Sequence, residues 1–243
     1  MSFRPARVLH AEERLDEPRH DDVALEHSLA HVAAVNRWLG GWRALRRHLR
    51  PLLPADRAAR ILDIGTGSAD GPAMLARWAR ATGRPLEVVA TDVHPQMLDV
   101  ARRRTAGFPE VRVQPADALA LPFPDGAFDA ALLTLTLHHF EGEDQLRVLR
   151  EMARVATWVL VGELERSWLN YVGAKLLAWT VWRRNAITRH DGPLSVLRAY
   201  TAAELLGLAR SAGLERPRVF RHPFQRLVLV GGGAARRAAA STE

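Results

Sequence analysis

Short apolar runs alternate with amphipathic stretches through the middle of the chain. Five runs of strand length, ARILDIG, PLEVVATDV, VRVQPAD, FDAALLTLTL and TWVLVGE, follow one another between residues 59 and 163. Helical spacing fills the gaps at 72–82, 95–105 and 142–154, and less regularly at 115–125. Strands that are apolar on both faces and alternate with helices predict a parallel sheet covered on both sides.

The segments outside this alternation predict further helices and a closing pair of strands. Apolar residues recur at helical spacing from 23 to 53 and are interrupted at Gly40 and Gly41, which predicts two helices joined by a glycine hinge. WLNYVGAKLLAWTVWRR, residues 168 to 184, predicts an apolar helix. TRHDGPLSVLRAY then predicts an irregular loop before a helix capped by Thr201. PRVFRHPFQRLVLVGGG ends the pattern with two strand-like runs that predict an antiparallel edge.

These elements predict one main domain with two helical additions. The hydrophobic fraction of 48% over 243 residues is enough for one sizeable core. Residues 1–54 are predicted to form a helical lid, of which the first 22 residues are a loose lead-in, and residues 55–165 are predicted to form the core. Residues 166–235 are predicted to form a cap helix, a loop and the C-terminal part of the sheet, and residues 236–243 a tail. We expect the lid helices to complete the wall of a cleft at the strand ends.

The amino-acid composition excludes several classes of protein or site. The chain has no cysteine, which excludes disulfides, thiolate zinc sites and cysteine nucleophiles and favours a cytoplasmic location. The first residues lack the apolar stretch of a secretory signal, and no run of apolar residues is long enough to span a membrane. The net charge of +7 invites a nucleic-acid interpretation. However, the arginines follow helical spacings without a recognisable binding motif, so no specific nucleic-acid partner is expected.

The stretch ILDIGTGSADGPAML joins the first strand to a helix through Gly65, Thr66 and Gly67. Such a turn presents backbone N–H groups and a helix N-terminus to a ligand. The dinucleotide fingerprint needs a third Gly or Ala at the position that Asp70 occupies, and a carboxylate there would repel a pyrophosphate. The loop therefore disfavours NAD and lacks the ending of a P-loop. A tight turn with Asp70 as an ordinary helix acid remains open.

Four acids flank the ends of the first three strands. Asp63 precedes the glycines and Asp70 follows them, which suits a cationic ligand without phosphate such as S-adenosylmethionine. Asp92 closes the second strand, where a carboxylate can bridge two ribose hydroxyls, and Asp117 follows the third, where it could accept from an adenine amine. Each acid alone is typical of a surface turn. Because the carboxyl ends of parallel strands meet at one edge, the acids should converge on one crevice.

Three ordered segments carry a resemblance to a known family. ILDIGTGSAD, TDVHPQML and ADALALPFPDGAFDAALLTLTLHH resemble motifs of the class I S-adenosylmethionine-dependent methyltransferases. GTGSAD and ALPFPDGAFD are most similar to the ubiquinone and menaquinone biosynthesis branch and its small-molecule relatives. The resemblance covers residues 55–165 and departs at Ala69, where the family usually has a third glycine. One extra methyl group there could tighten the fit around the methionine carboxylate.

The resemblance implies an α/β fold with S-adenosylmethionine as cofactor. The implied sheet is Rossmann-like, seven-stranded and mostly parallel, with an antiparallel last strand. The implied cofactor residues are Asp63, Gly65, Thr66, Gly67 and Asp70 around the methionine part, Asp92 at the ribose, Met97, Asp117 and Ala118 at the adenine, and Val93 and Thr134 elsewhere in the site. For Met97, plain core packing remains open.

Methyl transfer from a sulfonium is an in-line displacement, so the enzyme mainly aligns the acceptor and excludes water. If the acceptor is a hydroxyl, a histidine is the natural base. His138 and His139 lie just beyond the fourth strand, and His190 lies in the predicted loop after the Trp-rich helix. Strand alternation predicts that His138 and His139 diverge, so that only one faces the cleft. A structural, hydrogen-bonded role remains open for each.

Trp168, Arg189 and Tyr200 are the candidate acceptor contacts. The Trp-rich helix could line an apolar acceptor pocket, lie on a membrane surface as an amphipathic helix, or pack on the core as a cap. The acceptor is expected to be small and hydrophobic or aromatic, such as a phenol, quinol or polyketide.

The sequence thus predicts an S-adenosylmethionine-dependent methyltransferase that methylates oxygen with a histidine base, as a monomer or homodimer with possible peripheral membrane contact. Alternatives are C-methylation of a quinone-type ring, methylation of RNA or another nucleic acid, and a non-catalytic binding module; a nicotinamide oxidoreductase is disfavoured by Asp70. No metal site is predicted. The N-terminal histidines His10, His20, His27 and His31 have no metal-ligand spacing.

Overall fold

The protein is built around one seven-stranded mixed sheet. A computed structural model describes residues 4–233. The strands are β1 (Ala59–Ile64), β2 (Leu86–Asp92), β3 (Val111–Pro115), β4 (Phe128–Thr134), β5 (Ala156–Leu164), β6 (Glu215–His222) and β7 (Arg226–Gly232). Their order is β3-β2-β1-β4-β5-β7-β6, and β7 runs antiparallel to both neighbours. This topology confirms the predicted fold class.

Eight α-helices surround the sheet. They are α1 (Asp22–Trp38), α2 (Gly41–Leu49), α3 (Asp70–Thr82), α4 (Pro95–Thr105), α5 (Glu143–Val155), α6 (Trp168–Trp179), α7 (Ala186–Arg198) and α8 (Ala202–Ser211) within residues 4–233. Gly40 lies between α1 and α2 with φ of 73°, a left-handed conformation that glycine adopts without strain, so the predicted glycine hinge is confirmed. None of the helices described is long and apolar enough to cross a membrane.

Helices cover both faces of the sheet because the central strands are apolar on both. In β4, Ala130 and Leu132 belong to a core with α2 and α3, whereas Ala131 and Leu133 belong to a core with α5 and α8. All four side chains are fully buried. Burial of each leucine stabilises the fold by about 2 kcal/mol relative to exposure. The double-sided core explains why the strands appear in the sequence as continuous apolar runs.

Two predicted elements differ from the structure. The segment 115–125 is irregular rather than helical, because Pro122 and Pro124 interrupt it and the side chain of Asp117 accepts from the backbone N–H of Leu119. The predicted loop after the Trp-rich helix is instead α7, which continues through Pro193. Its packing against α6 and α1 outweighs the hydrogen bond that a proline cannot make.

The ends of the cap region are set by local hydrogen bonds. The Trp-rich helix stops at Trp179, earlier than predicted, where the backbone N–H of Thr180 donates to the carbonyls of Leu176 and Leu177. Thr201 caps α8 as predicted, because its side chain accepts from the N–H of Glu204 while the Glu204 carboxylate accepts from the N–H of Thr201. The predicted tail over 236–243 lies outside the described residues.

Residues 4–22 of the predicted lead-in are held to the domain rather than loose. A short 3₁₀ helix, Arg14–Asp16, lies against α7, where the backbone N–H groups of Arg14 and Leu15 donate to the carboxylate of Asp191 at 2.9 Å each. Glu13, just before this helix, is 3% exposed. Charged residues therefore hold this segment to the domain through specific polar contacts that a hydrophobicity pattern does not register.

Candidate active site

The glycine loop leaves the sheet beside its topological switch point, since β1 is flanked by β2 on one side and β4 on the other. Gly65 has φ of 62°, and a Cβ there would lie 2.5 Å from Cγ2 of Thr136. Ala69, the residue that departs from the family pattern, is fully buried with φ of 52° at the N-cap of α3. The loop thus keeps the left-handed backbone at Ala69, where a glycine would avoid the steric cost.

Gly65→Ala should destabilise the protein by about 2 kcal/mol, because alanine resists a positive φ and its methyl group would meet Thr136. Denaturant unfolding measures the loss. The control Gly107→Ala adds a methyl group where no atom lies within 4 Å, and its free energy of unfolding should change by less than about 0.5 kcal/mol. Equal stability of the two variants would show that the loop tolerates a side chain.

A cavity of about 270 Å³ opens at the carboxyl ends of the strands, beside this loop. Helices α1 and α2 contribute part of its wall through Leu29, Val32, Asn36 and Trp42. The predicted cofactor residues that line it are Asp63, Gly65, Thr66, Gly67, Asp70, Asp92, Val93, Met97, Ala118 and Thr134. Residues that the sequence pattern did not single out, among them Ser68, Ala116 and Thr136, complete the wall. We call this space the loop cavity.

Besides Asp16 of the N-terminal segment, three carboxylates of the strand ends and glycine loop line the loop cavity, and each accepts a short hydrogen bond. The Thr66 hydroxyl donates to Asp63 at 2.6 Å, and the Trp42 indole N–H donates to Asp70 at 2.8 Å. The backbone N–H of Gly67 donates to Asp92 at 2.8 Å, which ties the end of β2 to the loop. Each acid keeps a fixed position relative to the strand ends, as a preorganised binding site requires.

Burial raises the pKa of all three acids. It raises the pKa of Asp63 to about 7, against the opposing hydrogen bond from Thr66 and with support from the charges of Asp70 and Asp92. Burial also raises the pKa of Asp70 and of Asp92, although hydrogen bonds to each carboxylate oppose the change. Arg104 is close enough to lower the pKa of Asp70, and His139 is a cationic group in the wall of the same cavity. In residues 4–233 the lining itself includes no lysine or arginine, so a cationic ligand would add favourable charge beside Asp63 and Asp92.

Asp117 is the predicted cofactor residue that does not line the loop cavity. Its side chain is exposed and accepts from the backbone N–H of Leu119 at 2.8 Å. The neighbouring Ala116 and Ala118 face the cavity instead. The strand end is therefore placed as expected, whereas the carboxylate points along the turn because it caps that turn.

A second cavity of about 110 Å³ adjoins the first, and we call it the histidine cavity. Both cavities are lined by Leu15, Val32, Leu135 and His139. The histidine cavity is further lined by Glu13, Ser28, Val35, His138, Leu164, Trp182, Thr188, Asp191, Gly192, Ser195 and Arg226. Its wall combines apolar side chains with a few polar ones, as is typical of sites for small organic ligands.

His138 and His139 do not diverge as strand alternation predicts. They lie in a 3₁₀ turn after β4, and their rings stack with centroids 4.6 Å apart. Nδ1 of His138 lies 2.9 Å from a carboxylate oxygen of Glu163, and Nδ1 of His139 lies 2.8 Å from one of Asp16. Burial opposes protonation of His139, but Asp16 and Glu13 outweigh it and raise its pKa to about 9. Both rings therefore face the same group of carboxylates.

Glu13 and Asp16 are functional candidates that the sequence analysis missed. Oε1 of Glu13 lies 3.6 Å from Nε2 of His138, and Oε2 lies 3.9 Å from Nε2 of His139. The two acids are more than 120 residues from the histidines in sequence, so no local spacing links them. In the amino-acid sequence, the only indication of this cluster is the pair of adjacent histidines that follows a buried strand.

Four other predicted residues lie outside both cavities. His190 is exposed on α7 and contacts Asp191, and the exposed Arg189 reaches only the backbone of Arg183. Trp168 is 47% exposed at the start of α6. Tyr200 is fully buried, and its hydroxyl donates to the carbonyl of Leu137. The helical form of α7 turns the first two side chains outward, while Asp191 and Ser195 on the same helix face the histidine cavity.

Comparison with known proteins agrees with this geometry. Residues 61–157 match the family model described as a methyltransferase domain. The chain is 42% identical to the demethylmenaquinone methyltransferase of Thermus thermophilus over 139 residues, which cover 57% of this chain and 56% of that protein. It is 36% identical to the ubiquinone/menaquinone biosynthesis C-methyltransferase of Chromobacterium violaceum over 119 residues, covering 48% and 46%. The chain thus matches about half the length of these curated relatives.

Solved structures share the fold at low sequence identity. A SAM-dependent methyltransferase from Aquifex aeolicus has a TM-score of 0.61 at 18% identity, covering 88% of this chain and 98% of that one. The CMeT domain of the citrinin polyketide synthase has a TM-score of 0.57 at 15% identity, covering 76% and 49%. These likenesses concern the architecture of the sheet and its helices.

The glycine loop and its acids lie within or just beside the segment 61–157 that matches the methyltransferase domain family, and the seven-stranded topology is that of solved S-adenosylmethionine-dependent methyltransferases. Over about half of its length, the sequence is similar to a demethylmenaquinone methyltransferase and to a ubiquinone/menaquinone biosynthesis C-methyltransferase.

Proposed function

We propose that the protein uses S-adenosylmethionine to methylate a small hydrophobic acceptor. The observation that carries this proposal is the set of buried carboxylates in the loop cavity. A cofactor with a sulfonium and an ammonium fits acids whose pKa is raised by burial, whereas a pyrophosphate would add negative charge. At Gly65 the missing side chain makes room for Thr136, which lines the same cavity.

Each part of the loop cavity has a distinct task in this proposal. Asp63 and Asp70 would hold the cationic methionine part, and Asp92 would accept from the ribose hydroxyls. Met97 and Ala118 would cover the adenine. The chemistry that the cofactor supplies when bound is an electrophilic methyl group on a sulfonium. Helices α1 and α2 would exclude water from this centre, since their side chains form part of the wall.

The acceptor would occupy the histidine cavity, which meets the loop cavity at His139 and Leu135. The names of the related proteins favour a quinol-type ring methylated at carbon. O-methylation of a phenolic or polyketide hydroxyl is the second candidate, favoured by the imidazoles beside the cavity. Both reactions are assisted when an acceptor hydroxyl loses its proton. In both we assign that step to His138, because a pKa of about 9 keeps His139 protonated near neutral pH.

Contact with a lipid surface and a cytoplasmic location are part of the same proposal. The exposed face of α6 carries Leu169, Val172, Leu176 and Trp179, each at least 60% exposed, which suits a protein that collects a lipid-soluble acceptor. Cosedimentation with anionic lipid vesicles tests this contact.

Calorimetry tests the cofactor. Protein stripped of endogenous ligand should bind S-adenosylmethionine and not NADH, and absence of S-adenosylmethionine binding would overturn the proposal. Asp92→Asn should weaken binding by about tenfold or more, because a charged acceptor is lost, whereas the exposed control Asp99→Asn should not. Mass spectrometry of phenols, quinols and polyketide pyrones incubated with enzyme and cofactor should then show which acceptor gains one methyl group.

A further inference from the structure

Two imidazoles and one carboxylate converge at the border of the two cavities. The ligand atoms that Glu13, His138 and His139 can offer all lie within 4.8 Å of one another. Glu13 and His138 are 3% and 2% exposed, so this is not a solvated surface cluster. We propose that Glu13, His138 and His139 bind a divalent transition-metal cation such as Zn²⁺.

Every proposed ligand is oriented by a second polar group. Nδ1 of each imidazole is at hydrogen-bond distance from a carboxylate, Glu163 for His138 and Asp16 for His139. With one ring proton on each Nδ1, both Nε2 atoms, which lie within 4 Å of the Glu13 carboxylate, are the atoms available to a cation. Cation binding would displace any second ring proton, because an imidazole binds metals in its neutral form. Carboxylates paired with ligating histidines in this way are the usual outer shell of protein metal sites. Ser195 donates to Oε2 of Glu13 at 2.8 Å and fixes the third ligand.

The buried carboxylate of Glu13 is only partly paired with hydrogen-bond donors. Its Oε1 atom is buried and has no hydrogen-bond partner in the described part of the chain. Arg198 lies nearby, with Nη1 3.7 Å from this oxygen and 4.0 Å from Asp16, but that nitrogen makes no hydrogen bond either. Glu13, Asp16 and Glu163 face the imidazole pair, whereas two guanidiniums lie beside these acids, Arg198 near Glu13 and the buried Arg226 near Glu163. With both imidazoles neutral, three carboxylates against two guanidiniums leave one negative charge for a bound cation.

The separations suit a metal after a small adjustment. Ligand atoms on a tetrahedral Zn²⁺ lie about 3.4 Å apart, given bonds of about 2.1 Å. The distances of 3.6 Å from Oε1 of Glu13 to His138 and 3.9 Å from Oε2 of Glu13 to His139 exceed this value by about half an ångström or less. Because all the ligand atoms lie within 4.8 Å of one another, metal binding would draw the three side chains closer together. Two imidazoles favour Zn²⁺ or a similar transition metal over Mg²⁺ or Ca²⁺, and three protein ligands leave a coordination position open.

The role of this cation rests on the proposed function, whereas its binding does not. An acceptor hydroxyl in the open position would be polarised, and its proton would pass to water more readily. His138 and His139 would then serve as ligands, because the Nε2 lone pair cannot hold a cation and accept a proton together. The cation would thus replace the imidazole base as the activating group.

Titration with Co²⁺ tests the site directly. Untagged full-length protein treated with chelator should develop visible absorption with one equivalent of Co²⁺, and Zn²⁺ should displace it. Glu13→Gln and His139→Asn should each weaken binding by at least about tenfold, and Asp16→Asn, a milder change at a half-exposed residue, by about tenfold. The control His48→Asn should bind normally, although His48 and His222 form another imidazole pair, with Nε2 atoms 2.9 Å apart.

The proposal fails if the wild type shows no stoichiometric Co²⁺ spectrum. It also fails if Glu13→Gln, His139→Asn and Asp16→Asn bind as tightly as the wild type. Far-ultraviolet circular dichroism and denaturant unfolding of each variant verify folding, and Asp16→Asn keeps the test decisive if another variant does not fold. Because the titration contains neither cofactor nor acceptor, a negative result leaves the methyltransferase proposal standing, and failed cofactor binding leaves the metal result standing.

Discussion

The variant His138→Asn should transfer methyl groups about 10²- to 10⁴-fold more slowly than the wild type, the range typical of losing a proton-transfer group. The new amide can still donate to Glu163, which would otherwise be a buried carboxylate without its partner. No atom replaces Nε2, the nitrogen that faces Glu13. The rate at saturating acceptor, using the compound that gains a methyl group, is the quantity to measure.

Cofactor affinity should be unchanged in this variant, because His138 does not line the loop cavity. The control His27→Ala removes an exposed imidazole from α1 and should keep the full rate. If His138→Asn is as fast as the wild type, neither an imidazole base nor a metal at this position activates the acceptor. Alignment of the two ligands would then account for the rate.

The affinity for S-adenosylmethionine should rise by about tenfold per pH unit between pH 5 and 7. Burial raises the pKa of Asp63 to about 7, and the ionised carboxylate is the form that attracts a cation. Binding therefore expels a proton below this pH. Calorimetry in buffers of different ionisation enthalpy should detect about one proton released at pH 6, and a pH-independent affinity would contradict the raised pKa.

The stability of the cofactor-free protein should change in the opposite direction. An aspartate in the unfolded chain ionises near its ordinary pKa of 3.8, whereas folded Asp63 ionises near 7. Raising the pH from 3.8 to 7 therefore lowers the free energy of unfolding by about 4 kcal/mol in total. Asp63→Asn should remove this contribution from the pH dependence of denaturant unfolding, and the control Asp99→Asn should retain it. Equal pH slopes for wild type and Asp63→Asn would contradict the assignment.

The sequence was informative about the loop cavity because its acids immediately follow strands. Once β1 and β2 are recognised as neighbouring parallel strands, Asp63 and Asp92 must lie at the same edge of the sheet. The direction of a turn residue is harder to predict. Asp117 follows β3 as expected, yet its carboxylate satisfies its own turn because that local hydrogen bond competes with any cavity contact.

The histidine cavity was only partly predictable because distant segments build it. Glu13 reaches the imidazoles from the N-terminal lead-in, and Ser195 reaches Glu13 from α7. A sequence pattern records which residues are apolar at which spacing, but it contains no information about pairs of polar side chains far apart in the chain. Pro193 added a second obstacle, since proline favours a loop while the packing of α7 favours a helix.

The hydrogen bond between Ser195 and Glu13 joins residues 182 positions apart, so it closes a loop that contains most of the 243 residues. Contacts of such range form only after the entropy of ordering the intervening chain has been offset by the core. During synthesis the N-terminal segment emerges first, and its partners on α7 emerge only after five strands of the sheet. We therefore expect the loop cavity to take shape early and the histidine cavity to be completed at the end of folding.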